Sequence, residues 1–375
     1  MELRLRKSDL LRELQLFQGI VERKNTIPVL ANVLIKASKG TVEITATDLE
    51  VGLRSQCKGS ILKDGSLTLP AKKLYEIVRA LPETEIQIEE SAKGSVKIAA
   101  DHFSSRIQTL PREDFPTLPE PSGEEKISLP RAVFREMIKK TQFAITGEDT
   151  RYFLNGALFI FTEDEMSLIA TDGHRLALTT ASRGGNKEKG EQKENKEIRV
   201  ILPKKTLLEL ARLLVDGDDD VRYERGENHL FFDIGGRVLI SRVIDAQFPA
   251  YERVIPKGND KKIEFERDRL TSAIKRVALL SNERSRAIRF KVDSGKVEVT
   301  SSSPELGEAS EVLLVDHTSG PLQLCFNAQY VLDFLTVIDT ETVTLEFKDE
   351  MSQAVMKPVG ADGYEYTYVI MPMRV

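Results

Sequence analysis

Cysteine is scarce in this chain: Cys57 and Cys325 are the only two, far apart and outside any CxxC spacing. That argues against a disulfide framework or a cysteine-ligated zinc site and fits a reducing compartment. No apolar run approaches the ~20 residues needed to cross a bilayer, so no membrane partner is expected. The first residues, Met1-Glu2-Leu3-Arg4, alternate charge with apolarity and lack the apolar core of a signal peptide, so the expected location is cytoplasmic. The four histidines (His102, His174, His229 and His317) sit in unlike contexts, none in an HExxH pair. Phosphate-loop, dinucleotide and GxSxG patterns are all missing. The expectation is therefore no metal, no cofactor and no catalytic residue. Asp172 and His174, close in sequence, are too little to carry a hydrolase.

What is present is bulk and repetition. A length of 375 residues favours two or three domains, and 41% apolar residues suffice for packed cores. Three amphipathic segments open successive thirds, carrying Leu10-Leu11-Leu14-Phe17, Val133-Met137-Ile138 and Leu270-Ile274-Val277-Ala278. A second helical pattern follows some 60–70 residues later in each: Leu74-Ile77-Val78-Leu81, Leu207-Leu210-Ala211-Leu214 and Val331-Phe334-Leu335-Ile338. Strand signals lie between, in pairs joined by turn formers such as Lys39-Gly40 and Asp293-Ser294-Gly295. The turn Ala46-Thr47-Asp48-Leu49 recurs 124 positions on as Ala170-Thr171-Asp172-Gly173, while the last third has Ser301-Ser302-Ser303 instead. Pro116 to Glu125 and Pro256 to Lys262 read as linkers, and the charged run Arg183 to Glu197 as an exposed loop. The predicted fold is α+β, in three tandem domains of like topology: 1–121, 126–255 and 262–375.

Charge is unevenly spread. The net charge is −5, but residues 71–81, 131–140, 203–215 and 267–280 carry +2, +3, +2 and +3. With 7–18 neutral and 327–338 at −1, the six segments hold +9, leaving −14 elsewhere. Helices sharing one surface would present a basic face to phosphates, with salt-dependent binding.

Four motifs are specific: Arg151-Tyr152-Phe153-Leu154-Asn155-Gly156, the run Ala170 to Ala177, Phe248-Pro249-Ala250-Tyr251, and the terminal Tyr368 to Arg374. Together with Asn25-Thr26-Ile27-Pro28 and Leu279 to Glu283, they resemble the beta subunit of bacterial DNA polymerase III, the sliding clamps, from end to end. The resemblance implies a homodimeric ring, helices lining a hole and sheets outside, that passes duplex DNA without reading its sequence and confers processivity. Twelve helices about 9 Å apart enclose a hole about 25 Å wide, whereas six leave about 7 Å, so one chain alone could not encircle a duplex. Implied partners are the replicative polymerase alpha subunit, a clamp loader, and other polymerases and repair factors bearing short linear motifs.

The same resemblance implies DNA contacts at Lys24, Lys72, Tyr152, Phe153 and Lys204. It implies a peptide pocket built from Leu154, Thr171, Gly173, His174, Arg175, Leu176, Pro249, Arg253, Val254, Val369, Met371, Pro372, Met373 and Arg374. Lys73, Ile107, Leu279 and Leu280 would form the dimer seam. The competing reading is a peptide-binding scaffold that does not encircle DNA.

Overall fold

The computed structural model describes residues 1–21, 26–91, 94–121, 126–183, 197–318 and 320–374. Lys24 and most of the run from Arg183 to Glu197 lie outside them. Among the described residues there are six α-helices: α1 (Lys7–Phe17), α2 (Ala71–Ala80), α3 (Arg131–Thr141), α4 (Lys204–Leu213), α5 (Arg267–Val277) and α6 (Ala328–Val337). Each third repeats one motif twice, a strand, a helix and then a three-strand meander; the strand Gly59–Lys63 is an addition in the first third. The chain is α+β, with three tandem domains of like topology.

The sheets do not stop at the domain boundaries. Two compact units result, Met1–Arg135 with Lys205–Val243, and Glu136–Lys204 with Ile244–Val375. In the first, an eight-stranded sheet runs Ile127–Leu129, Val221–Arg225, His229–Ile234, Arg237–Arg242, Val51–Cys57, Thr41–Thr47, Asn32–Ser38, Gly65–Pro70. The middle domain thus joins the first through Leu239 opposite Leu53 and Ile240 opposite Gly52. A five-stranded sheet completes this unit, with Phe103–Gln108 at its edge.

The second unit repeats the device. Its eight-stranded sheet joins Arg175–Ser182 to Tyr364–Ile370, with Leu176 opposite Val369. Its four-stranded sheet ends on Gly307–Leu314.

Periodicity places the helix faces correctly. Leu10, Leu14 and Phe17 are buried on α1, which packs against α2, where Leu74 and Val78 are buried. Leu270, Ile274 and Val277 on α5 turn inward likewise, as do Val331, Phe334 and Leu335 on α6. Removing a ring such as Phe17, which is wholly buried, costs about 3–5 kcal/mol. In the hairpin joining Asn32–Ser38 to Thr41–Thr47, Lys39 and Gly40 both take positive φ (50° and 78°), the twist a two-residue hairpin loop requires.

Residues 116–121 hold no helix or strand, as a linker would, and Leu118 among them lies against the first domain: a Cβ on Gly52 would lie 2.9 Å from it, while Phe115 just before is buried with Val29 and Leu30. One expectation needs correction. The basic helices are less basic at their surfaces than their sequences. Arg131 and Lys140 are buried, the first donating to the carbonyls of Leu213 and Asp216, the second to Glu136 at 2.7 Å.

Candidate functional site

The Thr-Asp-Gly sequence after strand Glu165–Thr171 builds a self-bonded turn. Thr171 Oγ1 donates to the Arg175 carbonyl at 2.7 Å and accepts from the Gly173 N–H at 3.1 Å. Asp172 Oδ1 accepts from the N–H groups of His174 (2.9 Å) and Arg175 (3.0 Å). Gly173 takes φ +89°, a conformation that favours glycine, leaving His174 exposed beside it.

Beneath the turn lies apolar material. Leu176 and Val369 face each other across the sheet and join a buried cluster with Leu158, Ile169, Phe248 and Val355. The chain end runs on beside it: Met371 N–H bonds the His174 carbonyl at 2.9 Å, and Met373 N–H the Cys325 carbonyl at 2.7 Å. Met371, Pro372 and Met373 are half-buried and Arg374 exposed. Pro249, Arg253 and Val254 are exposed on a segment with a single 3-10 turn, Tyr251–Arg253, whose Tyr251 packs against the cluster. Leu154 is buried at the end of the turn Tyr152–Leu154. An apolar floor with half-exposed methionines at its rim suits an anchor side chain of a short peptide.

Arg175 is anchored within the protein. Its guanidinium bonds Asp333 (2.5 Å), Asp172 (3.0 Å) and the Phe143 carbonyl (2.6 Å), and it stacks over Tyr330 at 4.3 Å. Burial opposes its charge, but Tyr368, Asp333 and Asp172 outweigh it and hold the group above the ordinary guanidinium range. Arg175 thereby fixes the turn, with three of its five N–H donors engaged.

Phe153, an expected DNA contact, is half-buried and packs one side against the apolar cluster. Its neighbour Tyr152 is 58% exposed, the two rings 6.2 Å apart. Lys204 donates to the Ile145 carbonyl at 3.0 Å, leaving two ammonium protons for anything else. Lys72 is exposed and 3.9 Å from Glu76, which Lys73 already binds at 2.8 Å. Ile107 lies on the edge strand Phe103–Gln108 and is half-buried. Leu279 is 75% exposed and Leu280 half-buried in the 3-10 turn after α5, which packs against the other edge strand, Gly307–Leu314.

Sequence reasoning missed Leu178, Ile244 and Val355, which belong to the apolar cluster or pack on it. Leu178 had a signal: it follows Leu176 by two residues on one strand, hence on the same face. Among the described residues no group of three or more His, Cys, Asp or Glu is arranged to hold a metal ion, and no helix is long and apolar enough to cross a membrane.

Three family descriptions match in tandem: DNA polymerase III beta subunit, N-terminal domain over residues 1–119, central domain over 128–250 and C-terminal domain over 252–374. The chain is 38% identical to the beta sliding clamp of Pseudomonas putida over 378 residues, and 34% identical to that of Escherichia coli over 377, covering 100% of both chains in each case. A crystal structure of the DNA polymerase III subunit beta from Pseudomonas aeruginosa superposes with a TM-score of 0.92 at 36% identity, again over 100% of both chains.

Proposed function

The chain belongs to the DNA polymerase III beta subunit family, the beta sliding clamps, and we propose that two copies close head to tail into a ring around duplex DNA. It is a non-catalytic processivity factor, tethering DNA polymerase to its template.

One observation carries the ring. At both internal seams the last strand of a domain pairs antiparallel with the strand closing the first meander of the preceding domain: Arg237–Arg242 with Val51–Cys57, and Tyr364–Ile370 with Arg175–Ser182. The same rule leaves two strands over, Phe103–Gln108 and Gly307–Leu314, both at sheet edges. They would pair between copies, each subunit offering both faces. Phe103, Val312 and Leu314, exposed at 39%, 48% and 72%, support this, because apolar groups on an open edge invite pairing. Ile107, Leu279 and Leu280 lie on or beside these strands, and Lys73 is the remaining seam candidate.

Within the ring, Lys72, Tyr152, Lys204 and Lys24 would meet the phosphate backbone, which carries no sequence information directly. The cleft beside Thr171–Leu176, Val369 and Met371–Arg374, with Leu154, Pro249, Arg253 and Val254, would take short motifs of the replicative polymerase alpha subunit, the clamp loader and repair factors. Cytoplasmic residence belongs to the same proposal, supported by Cys57 and Cys325 both being free thiols. The test is retention on closed circular DNA after loading with a clamp loader and ATP. A ring is held on the circle and released by linearisation; equal retention on both would sink the reading.

A further inference from the structure

The turn at the first domain junction repeats the peptide-cleft turn bond for bond. Thr47 Oγ1 donates to the Val51 carbonyl at 3.0 Å and accepts from the Leu49 N–H at 3.0 Å. Asp48 Oδ1 accepts from the N–H groups of Glu50 (2.9 Å) and Val51 (2.7 Å). The Glu50 carbonyl accepts from Arg242 N–H at 2.9 Å, as the His174 carbonyl does from Met371. Ile240 faces Gly52 as Val369 faces Leu176. Arg242 therefore stands where Met371 stands, and Leu49 where Gly173 stands.

Leu49 is the informative substitution. It holds φ +79° without being glycine, and its side chain is 47% exposed. Strain of this kind collects at ligand clamps, and an exposed leucine gains nothing from the fold in return. Beside it opens a cleft of about 530 Å³, within the range of small-ligand and peptide sites, walled by Leu49, Ile240, Leu118 and Pro119. Glu50, His229 and Arg242 stand at its margin. Burial, then the Arg242 charge, hold His229 below the ordinary imidazole range, so Arg242 is the cation there at neutral pH. Arg242 is exposed and makes no ion pair among the described residues.

We infer that this cleft is a second peptide-docking site, taking a short linear segment of a partner protein whose aliphatic anchor packs under Leu49 and whose neighbouring carboxylate meets Arg242. The inference rests on reading the Thr171–Met371 cleft as a peptide site, of which this is the internal counterpart.

The probe is a fluorescein-labelled octapeptide, Gly-Ser-Asp-Leu-Asp-Leu-Gly-Ser, with an Asn-for-Asp version, titrated against the full-length protein. A benzophenone derivative maps contacts by mass spectrometry. Crosslinks are expected in residues 47–52, 116–119 or 240–242, and should persist in Met371→Ala. Leu49→Gly relieves the backbone, so the protein stays folded with Tm not lowered, yet affinity at this cleft should fall about tenfold. Arg242→Gln should weaken the Asp probe and leave the Asn probe unchanged. Crosslinking confined to 171–176 and 371–374, or none at either junction, overturns the second site. So does unchanged affinity in Leu49→Gly. The first of these leaves the proposed function standing, whereas loss of every crosslink in Met371→Ala alone overturns only the second site, since it assigns all binding to the other cleft.

Discussion

Arg237 grips both oxygens of the Glu13 carboxylate, at 2.8 and 2.7 Å, tying α1 of the first domain to a strand of the middle one. Ser55 adds a third bond at 2.5 Å, and the Glu13 side chain is only 2% exposed. Burial pushes this carboxyl up, but the bonds from Arg237, Ser55 and Arg12 outweigh it and hold it below the ordinary range. The stabilisation is therefore complete above the usual glutamate pKa and fades as pH falls through the lower folded value. Glu13→Gln strands the Arg237 charge and should cost about 3–5 kcal/mol at pH 7. Urea unfolding at pH 7 and pH 4 checks this: the variant should lose less on acidification than the parent. The neighbouring Cys57 thiol, pushed up to about 12 by burial and then by Glu13, should resist alkylation at pH 8 until the protein unfolds.

Arg175 is the counterpart tie in the second unit, and its role is positional. Arg175→Lys keeps one charge but cannot bond Asp172, Asp333 and the Phe143 carbonyl together. We expect a loss of about 2 kcal/mol in stability, consistent with breaking charged hydrogen bonds. Peptide affinity should fall as well, because the turn carrying His174 loosens. If Arg175 instead met the peptide directly, affinity would fall with stability unchanged; calorimetric Tm and fluorescence anisotropy on one preparation separate the two.

These ties were not legible in the sequence, and the reason is physical. Helix faces such as Leu10-Leu14-Phe17 announce themselves by spacing, and the Thr-Asp turn by its recurrence. Glu13, on the same buried face, breaks the pattern only because a partner 224 positions away neutralises it. Lys140 counts toward a basic helix until the fold buries it over the Tyr364 ring at 4.4 Å. Residue type reports charge, not burial, and the pairing of Leu53 with Leu239 has no local signature. The pocket positions from Val369 to Arg374 came from family resemblance alone.

The proposed DNA contacts differ in how cleanly they can be tested. Lys204→Glu also removes the bond to the Ile145 carbonyl, so any effect mixes folding with binding. Lys72 is exposed, and its 3.9 Å approach to Glu76 is a surface pair worth little. Lys72→Glu should therefore leave Tm within about 1 °C while lowering the slope of log K against log salt by about 1. The measurement is DNA affinity from 50 to 200 mM salt, an interval chosen because a lost phosphate contact shows there. An unchanged slope would remove Lys72 from the phosphate-contacting set.

Leu314 gives the sharpest test of the ring. It is 72% exposed, and its strand lies at the outer edge of the four-stranded sheet. In the monomer that exposure means a lysine there meets water, so folding should be unaffected within about 0.5 kcal/mol. In a paired edge the same lysine would be desolvated against Phe103–Gln108, and inward charges on edge strands are a device that blocks such pairing. Leu314→Lys should thus convert a species of twice the chain mass into a monomer, read by sedimentation or light scattering, with the folded circular dichroism spectrum retained. Ile107→Asp, on the opposite strand, should do the same. The two variants together should gain nothing further, because one interface cannot be lost twice.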